Sequence, residues 1–220
     1  NESIMSVKNQ ISIINDEVKD KAELVVVSKT RSLKQIIEAY DLGHKKFGEN
    51  RVQEIVEKYN NLPKDIEWHM IGHLQKNKVK YISKFISLIH SLDRLSLAKE
   101  IDKNARKDNR SINCLIQIKI SKDETKYGLN PKELDSFYRE LKEFKNLNIV
   151  GLMAMATFTK DQILIAEEFK EMKNLFLKMK TINSSFKILS IGMSDDYLIA
   201  INNGSNMIRV GSKIFGKRNY

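Results

Sequence analysis

Chemistry enters this sequence first at Lys29, which follows the apolar run Leu24-Val25-Val26-Val27 with only Ser28 between. A lysine at the lip of an apolar strand is partly desolvated, so its neutral amine becomes accessible and can attack a carbonyl. Near the other end stand two glycine-containing turns, Gly192-Met193-Ser194-Asp195-Asp196 and Gly211-Ser212-Lys213. Glycine lets backbone approach an anion, N–H groups at a helix start favour negative charge, and serine hydroxyls add donors. Arg209 lies between Ile208 and Val210, where a guanidinium is costly to bury unless it faces a cavity and meets an acceptor or ligand. His69 shares a strand face with Ile71, and His73 lies beyond the next turn. This pair lacks the helix and glutamate of an HExxH zinc site, and reads as hydrogen bonding or stacking against a planar ligand. Asn50, after Phe47-Gly48-Glu49, can cap the next helix while its amide, or Glu49, points into a central cavity. His44 and His90 have no such context and read as structural, and Cys114 reads as a small buried hydrophobe.

These residues must be positioned by the elements around them. Short apolar runs predict strands over Glu23 to Val27, Lys45 to Phe47, Glu67 to Ile71, Leu88 to His90, Asn113 to Ile120, Asn148 to Met153, Lys187 to Ile191 and Met207 to Val210. Apolar residues three and four apart predict helices over Leu33 to Tyr40, Val52 to Tyr59, Lys76 to Phe85, Leu95 to Ala105, Pro131 to Phe144, Ile163 to Met179 and Asp195 to Ile201. Asn130-Pro131 offers a cap and a first-turn proline, and Ser194 precedes the helix beginning at Asp195. Strict alternation of strand and helix implies parallel strands and right-handed crossovers. Eight units of roughly 27 residues favour a (β/α)8 TIM-type barrel over a doubly wound open sheet. With no Gly, Pro or Ser-rich linker, residues 1–220 read as one domain, in which amphipathic residues 1–22 form an extra N-terminal helix packing on the barrel. The two Gly turns then follow strands seven and eight, where barrels commonly hold phosphate. A lysine able to form an imine, a phosphate cradle and a donor for a heteroaromatic nitrogen together describe pyridoxal 5′-phosphate (PLP).

The stretches Val27-Ser28-Lys29-Thr30, Phe47-Gly48-Glu49-Asn50, Trp68 through Gln75, Gly192 through Asp196 and Ile208 through Gly216 resemble, in order and spacing, the pyridoxal phosphate homeostasis proteins. These are a cytosolic group related to the N-terminal barrel of bacterial alanine racemase. The resemblance implies that Lys29 forms the internal aldimine, that Ser194 with the backbone of Gly211 and Ser212 holds the phosphate beside Gly192, and that Arg209 faces the pyridine nitrogen. It places Asn50 and His69 beside the ring. An arginine at the pyridine nitrogen weakens the cofactor as an electron sink, which makes carbanion chemistry poor. Racemases of this fold carry a second, all-β domain and a tyrosine base from the partner subunit. The sequence ends at Tyr220 without them, so the expectation is a monomeric cofactor carrier with no catalytic residue. The alternative is a weakly active PLP-dependent racemase or transaminase. Two positions depart from the family pattern, Lys119 where it tends to asparagine and Arg51 where it favours tyrosine.

Composition narrows the partners. No apolar run approaches the ~20 residues of a membrane span, and residues 1–21 have no signal-peptide pattern, so a cytoplasmic protein is expected. One cysteine excludes an intramolecular disulfide and a multi-cysteine zinc site, and no metal is expected. A net charge of +10 raises nucleic acid as a partner, with Lys76-Asn77-Lys78-Val79-Lys80 as its densest basic run. No helix-turn-helix, finger or RNP pattern accompanies it. The basic surface instead suits anionic B6 vitamers or acidic, PLP-requiring apo-enzymes.

Overall fold

A computed structural model describes residues 6–217. Its strands are β1 (Glu23–Val27), β2 (Lys46–Glu49), β3 (Glu67–Met70), β4 (Leu88–Leu92), β5 (Ile112–Gln117), β6 (Leu147–Met153), β7 (Ile188–Ser190) and β8 (Met207–Val210). All pair in parallel and in sequence order, and β8 closes onto β1 with Val25 opposite Arg209. The helices are α1 (Val7–Val18), α2 (Leu33–Asp41), α3 (Val52–Asn61), α4 (Leu95–Lys107), α5 (Leu134–Leu141), α6 (Gln162–Ile182), α7 (Tyr197–Asn202) and α8 (Ser212–Phe215). This is the (β/α)8 barrel that the alternating pattern predicts.

The strands read as continuous apolar runs because both faces are covered. Leu24, Val26, Phe47, Trp68, Ile89, Ile116 and Leu152 pack outward under the helices. The opposite parity faces the barrel axis, where Val25, Leu88, Leu115, Met153 and Met207 form a separate apolar plug. Two residues farther along the strands, that inward parity turns polar at His69, His90, Gln117, Ser190 and Arg209, all buried. The sequence thus builds a barrel that is apolar below and polar towards the C-terminal ends of its strands, the end on which barrel sites form.

Side-chain caps mark the starts of α1, α2 and α6. Ser32 and Gln35 form a reciprocal capping box on α2, and Asp161 accepts the amides of Ile163 and Leu164 at the start of α6. Asn130 caps a 3-10 turn at Pro131–Glu133 that leads into α5. The N-terminal helix is shorter than the span expected for it: Val7–Val18, capped by Ser6, buries Ile11, Ile14 and Val18 against α2, α7 and α8. Residues 1–5 of that expected helix lie outside the described residues. The phenol of Tyr197 donates to Glu17 and accepts from Lys213, tying α1, α7 and α8 together. Among the described residues, no helix is long and apolar enough to cross a membrane.

Three local expectations need correction. Lys76–Tyr81 is a short 3-10 turn, not a helix running to Phe85. Lys76 and Lys80 would repel at i,i+4, and the one buried residue of the turn, Val79, gives it little to anchor a longer helix. Asn50 does not cap α3, whose N-cap is Arg51 without a side-chain bond. The helix predicted from Asp195 begins at Tyr197 after an N-cap at Asp196, which leaves Ser194 for another task.

Gly151 shows how tightly the barrel closes. A Cβ there would lie 1.8 Å from the carbonyl oxygen of Ile188 on β7. Gly151→Ala is therefore expected to destabilise the fold by about 3 kcal/mol, through a backbone clash that no rotamer relieves. Urea unfolding measures this, and an unchanged midpoint would contradict the close β6–β7 approach.

Candidate functional site

Two adjoining hollows of about 200 and 260 Å³ open at the C-terminal mouth of the barrel, and both are lined by Val27, Lys29, Met193 and Arg209. Side by side they reach the scale of small-ligand sites, roughly 300–1,000 Å³. Ser194, Gly211, Ser212, Lys126 and Thr157 line the first, and Asn50, Ile71, His73, Gln117, Tyr127 and Met155 the second. Lys29, Asn50, Ser194, Arg209, Gly211 and Ser212 thus meet at one mouth. His69 and Gly192 do not line it. His69 lies a layer deeper, and Gly192 sits beneath the turn.

On the anion side, the hydroxyl of Ser194 accepts the amides of Gly211 (3.3 Å) and Lys213 (3.4 Å). The first amides of α8 have no partner within their own helix and face this corner. Two glycines make it possible. Gly192, at φ +104, would with a Cβ stand 2.7 Å from Ala200, so its absence lets α7 approach. A Cβ on Gly211 would lie 3.0 Å from the carbonyl of Val27, so the cradle is pressed against the end of the strand that delivers Lys29. Asp196 holds the turn by accepting the amide of Met193 at 2.7 Å, and burial pushes its carboxyl above the ordinary range.

Arg209 anchors the interior. It donates to the carbonyl and hydroxyl of Ser190 on β7 and to the carbonyl of Ala154 (3.1 Å) just after β6. Burial lowers it to about 10, so it stays charged at neutral pH. A guanidinium has five N–H donors, which leaves capacity for an acceptor in the cavity. Because arginine only donates, the hydroxyl of Ser190 accepts from it, and the same oxygen is hydrogen-bonded to Nδ1 of His90, 3.0 Å away. Nε2 of His90 is in turn hydrogen-bonded to Nδ1 of His69 at 2.9 Å. Burial drives His69 down to about 3, and burial with the His69 ring and Arg209 nearby drives His90 well below its ordinary value, so both rings are neutral.

Glu49 does not point into the cavity, contrary to one expectation. Gly48 takes the inward position on β2, against Ile71 and Val25, and Glu49 faces the helix layer, where it pairs with Lys58 of α3. Sequence reasoning also missed His90, Ser190, Lys126 and Gln117. The signal was strand parity: His90 shares the inward face with Leu88, Ser190 with Ile188 and Gln117 with Leu115.

Fold and cavity together define a (β/α)8 barrel whose mouth presents an amine, a corner of serine hydroxyls and backbone amides, and a guanidinium to one space. The family described as "Alanine racemase, N-terminal domain" matches residues 3–219. The chain is 39% identical over 201 residues to the pyridoxal phosphate homeostasis protein of Aquifex aeolicus, covering 90% of this chain and 88% of the relative. It is 34% identical to that of Haemophilus influenzae over 234 residues, 98% of each chain. The solved structure of PipY from Synechococcus elongatus with PLP bound superposes with a TM-score of 0.88 at 30% identity, covering 96% of this chain and 100% of PipY. The chain belongs to the pyridoxal phosphate homeostasis protein family.

The neutral histidines give a pH prediction. Above about pH 6.5 both rings are neutral in the folded and unfolded chain and contribute nothing to the slope. As pH falls from 6.5 towards 3, the unfolded chain takes up protons that the buried rings refuse, so stability falls by about 1 kcal/mol per pH unit for each ring. Urea unfolding between pH 8 and pH 4 is expected to show a shallower loss in a His69→Gln/His90→Gln variant than in the native chain. Equal slopes would contradict neutral rings.

Proposed function

We propose that the barrel mouth holds pyridoxal 5′-phosphate and that the protein serves PLP homeostasis as a carrier without rapid turnover of its own. The observation that carries this reading is the convergence of Lys29, the Ser194–Gly211–Ser212 cradle and Arg209 on one cavity. In it the three chemical parts of PLP each find a partner: an amine for the aldehyde, amides and hydroxyls for the phosphate, and a donor for the ring nitrogen. When bound, PLP supplies an aldehyde that combines reversibly with amines and a ring that accepts electron density.

The chain's own residues do the rest. Lys29 provides the covalent anchor, Ser194 with Gly211 and Ser212 receives the phosphate, and Asn50 closes one side of the cavity. His69 acts from below, through His90 and Ser190, on the placement of Arg209. A charged arginine at the ring nitrogen leaves that nitrogen unprotonated, which favours holding the cofactor over carbanion chemistry. Every named group comes from one chain, so the reading needs no second subunit. The names of the relatives point to homeostasis and not to a catalysed reaction. Other B6 vitamers and PLP-requiring apo-enzymes, met in the cytosol, are the partners this role implies.

Purified protein incubated with PLP is expected to turn yellow and, after borohydride reduction, to carry the mass of the reduced adduct on the peptide containing Lys29. Lys29→Ala is expected to abolish both. Absence of an adduct in the native chain would overturn the proposal. Racemisation of alanine well above the rate of free PLP, lost in Lys29→Ala, would instead favour a weakly active enzyme.

A further inference from the structure

On the helix side of the barrel mouth, outside the cavity, a buried charge cluster grips the backbone on both sides of Lys29. Lys58 donates to the carbonyl oxygen of Ser28 at 2.8 Å and to Glu54 at 3.1 Å, and pairs with Glu49. The Ser28 hydroxyl donates to Glu49 at 3.0 Å, and the amide of Thr30 donates to Glu54 at 2.9 Å. The peptide units before and after Lys29 are thus each tied to α3 or to the end of β2. Thr30 is held at φ +67, a left-handed conformation that a β-branched residue adopts only when its surroundings impose it. Glu49 is fully buried and the Lys58 side chain only 7% exposed. Ion pairs are seldom buried for stability alone, because desolvation offsets much of the attraction.

We propose that Glu49, Glu54 and Lys58 are positioning residues for Lys29, clamping its two flanking peptides so that its amine is delivered into the cavity in one orientation. The inference rests on the reading of Lys29 as the PLP anchor. It adds a dependence on pH. Burial raises Glu49 to about 7, against the opposing pull of Lys58 and the Ser28 hydroxyl and with a push from Glu54. One carboxylate oxygen of Glu49 also lacks any hydrogen-bond partner. As pH falls through 7, Glu49 takes up a proton, Lys58 loses its inner partner and the grip on Ser28 loosens. Above 7 the clamp is fully charged. The groups facing Glu49 are Ser28 from the loop after β1 and Lys58 and Glu54 from α3, while Arg51 and the Thr30 amide face Glu54.

Two readouts test this, one of them free of cofactor. Trace acetylation of the apo-protein with acetic anhydride, followed by peptide mass mapping, compares the rate at Lys29 with that at exposed lysines such as Lys178. Stopped-flow transfer of bound PLP to a trapping amine gives its release rate. Glu54 is partly exposed, so Glu54→Ala is expected to fold. It is expected to alter Lys29 acetylation and to speed PLP release about tenfold, the cost of slight misplacement of a reacting group. Glu54→Gln is expected to restore most of the loss, because its amide oxygen still accepts the Thr30 N–H. Glu49→Gln is expected to erase an inflection near pH 7 in both readouts. Unchanged acetylation and release in folded Glu54→Ala would overturn the proposal, and so would a pH profile indifferent to Glu49→Gln. Clamp-dependent acetylation in a protein that never takes up PLP would uphold the positioning and refute the PLP reading.

Discussion

A guanidinium in the middle of an eight-stranded barrel costs several kcal/mol unless its donors are met and its charge is needed. The interior of this protein is arranged around that constraint. Arg209 can sit on β8 because β7 ends in Ser190, whose carbonyl and hydroxyl both face it, and because Ala154 follows β6 with its carbonyl in reach. Behind it, Ser190 on β7 bonds His90 on β4, and His90 bonds His69 on β3, so one hydrogen-bonded chain crosses the barrel interior. Burial keeps both rings neutral. The apolar plug of Val25, Leu88, Leu115, Met153 and Met207 below this layer keeps the polar chain from extending downward. The charge and the cavity therefore lie at the same end.

Much of this was legible in the sequence, for a physical reason. A parallel barrel buries both faces of each strand, so Leu24 to Val27 and Met207 to Val210 stand out as apolar runs, and both strands were bounded correctly. Turn chemistry marks the site, because glycine at 192 and at 211 is demanded by backbone approach and not by the strand around it. What stayed hidden depends on distance in sequence. His90 and Ser190 are a hundred residues apart, and only strand order and register make them neighbours. Asn50 looked like a helix cap because residue type is a weak guide to which of two adjacent residues takes the cap position. Glu49 reads as facing the cavity when the strand is ended at Phe47; β2 instead continues through Glu49, and strand alternation turns its side chain outward.

The parity of β2 also explains how two sets of charges coexist so close together. Phe47 faces outward to Trp68, Gly48 inward, and Glu49 outward again, so the strand itself separates the Glu49–Lys58 pair from the cavity containing Arg209. Gly48 contributes by having no side chain. A Cβ there would come within 3.1 Å of Ile71 and Val25, the residues that floor the cavity beside Lys29.

Lys29 stands where the two systems meet, and the contrast with Lys58 shows what placement does to one residue type. Lys29 follows β1 and Lys58 lies on α3, the helix of the next βα unit. Lys58 spends its donors on two carboxylates and a carbonyl, which makes it part of the frame. Lys29 sits on the cavity side, flanked by peptides that the frame holds and by the α8 cradle pressed against Val27. The frame supplies geometry from outside the barrel, and Arg209 supplies positive potential from inside. A lysine between them is oriented by one and shares its cavity with the other.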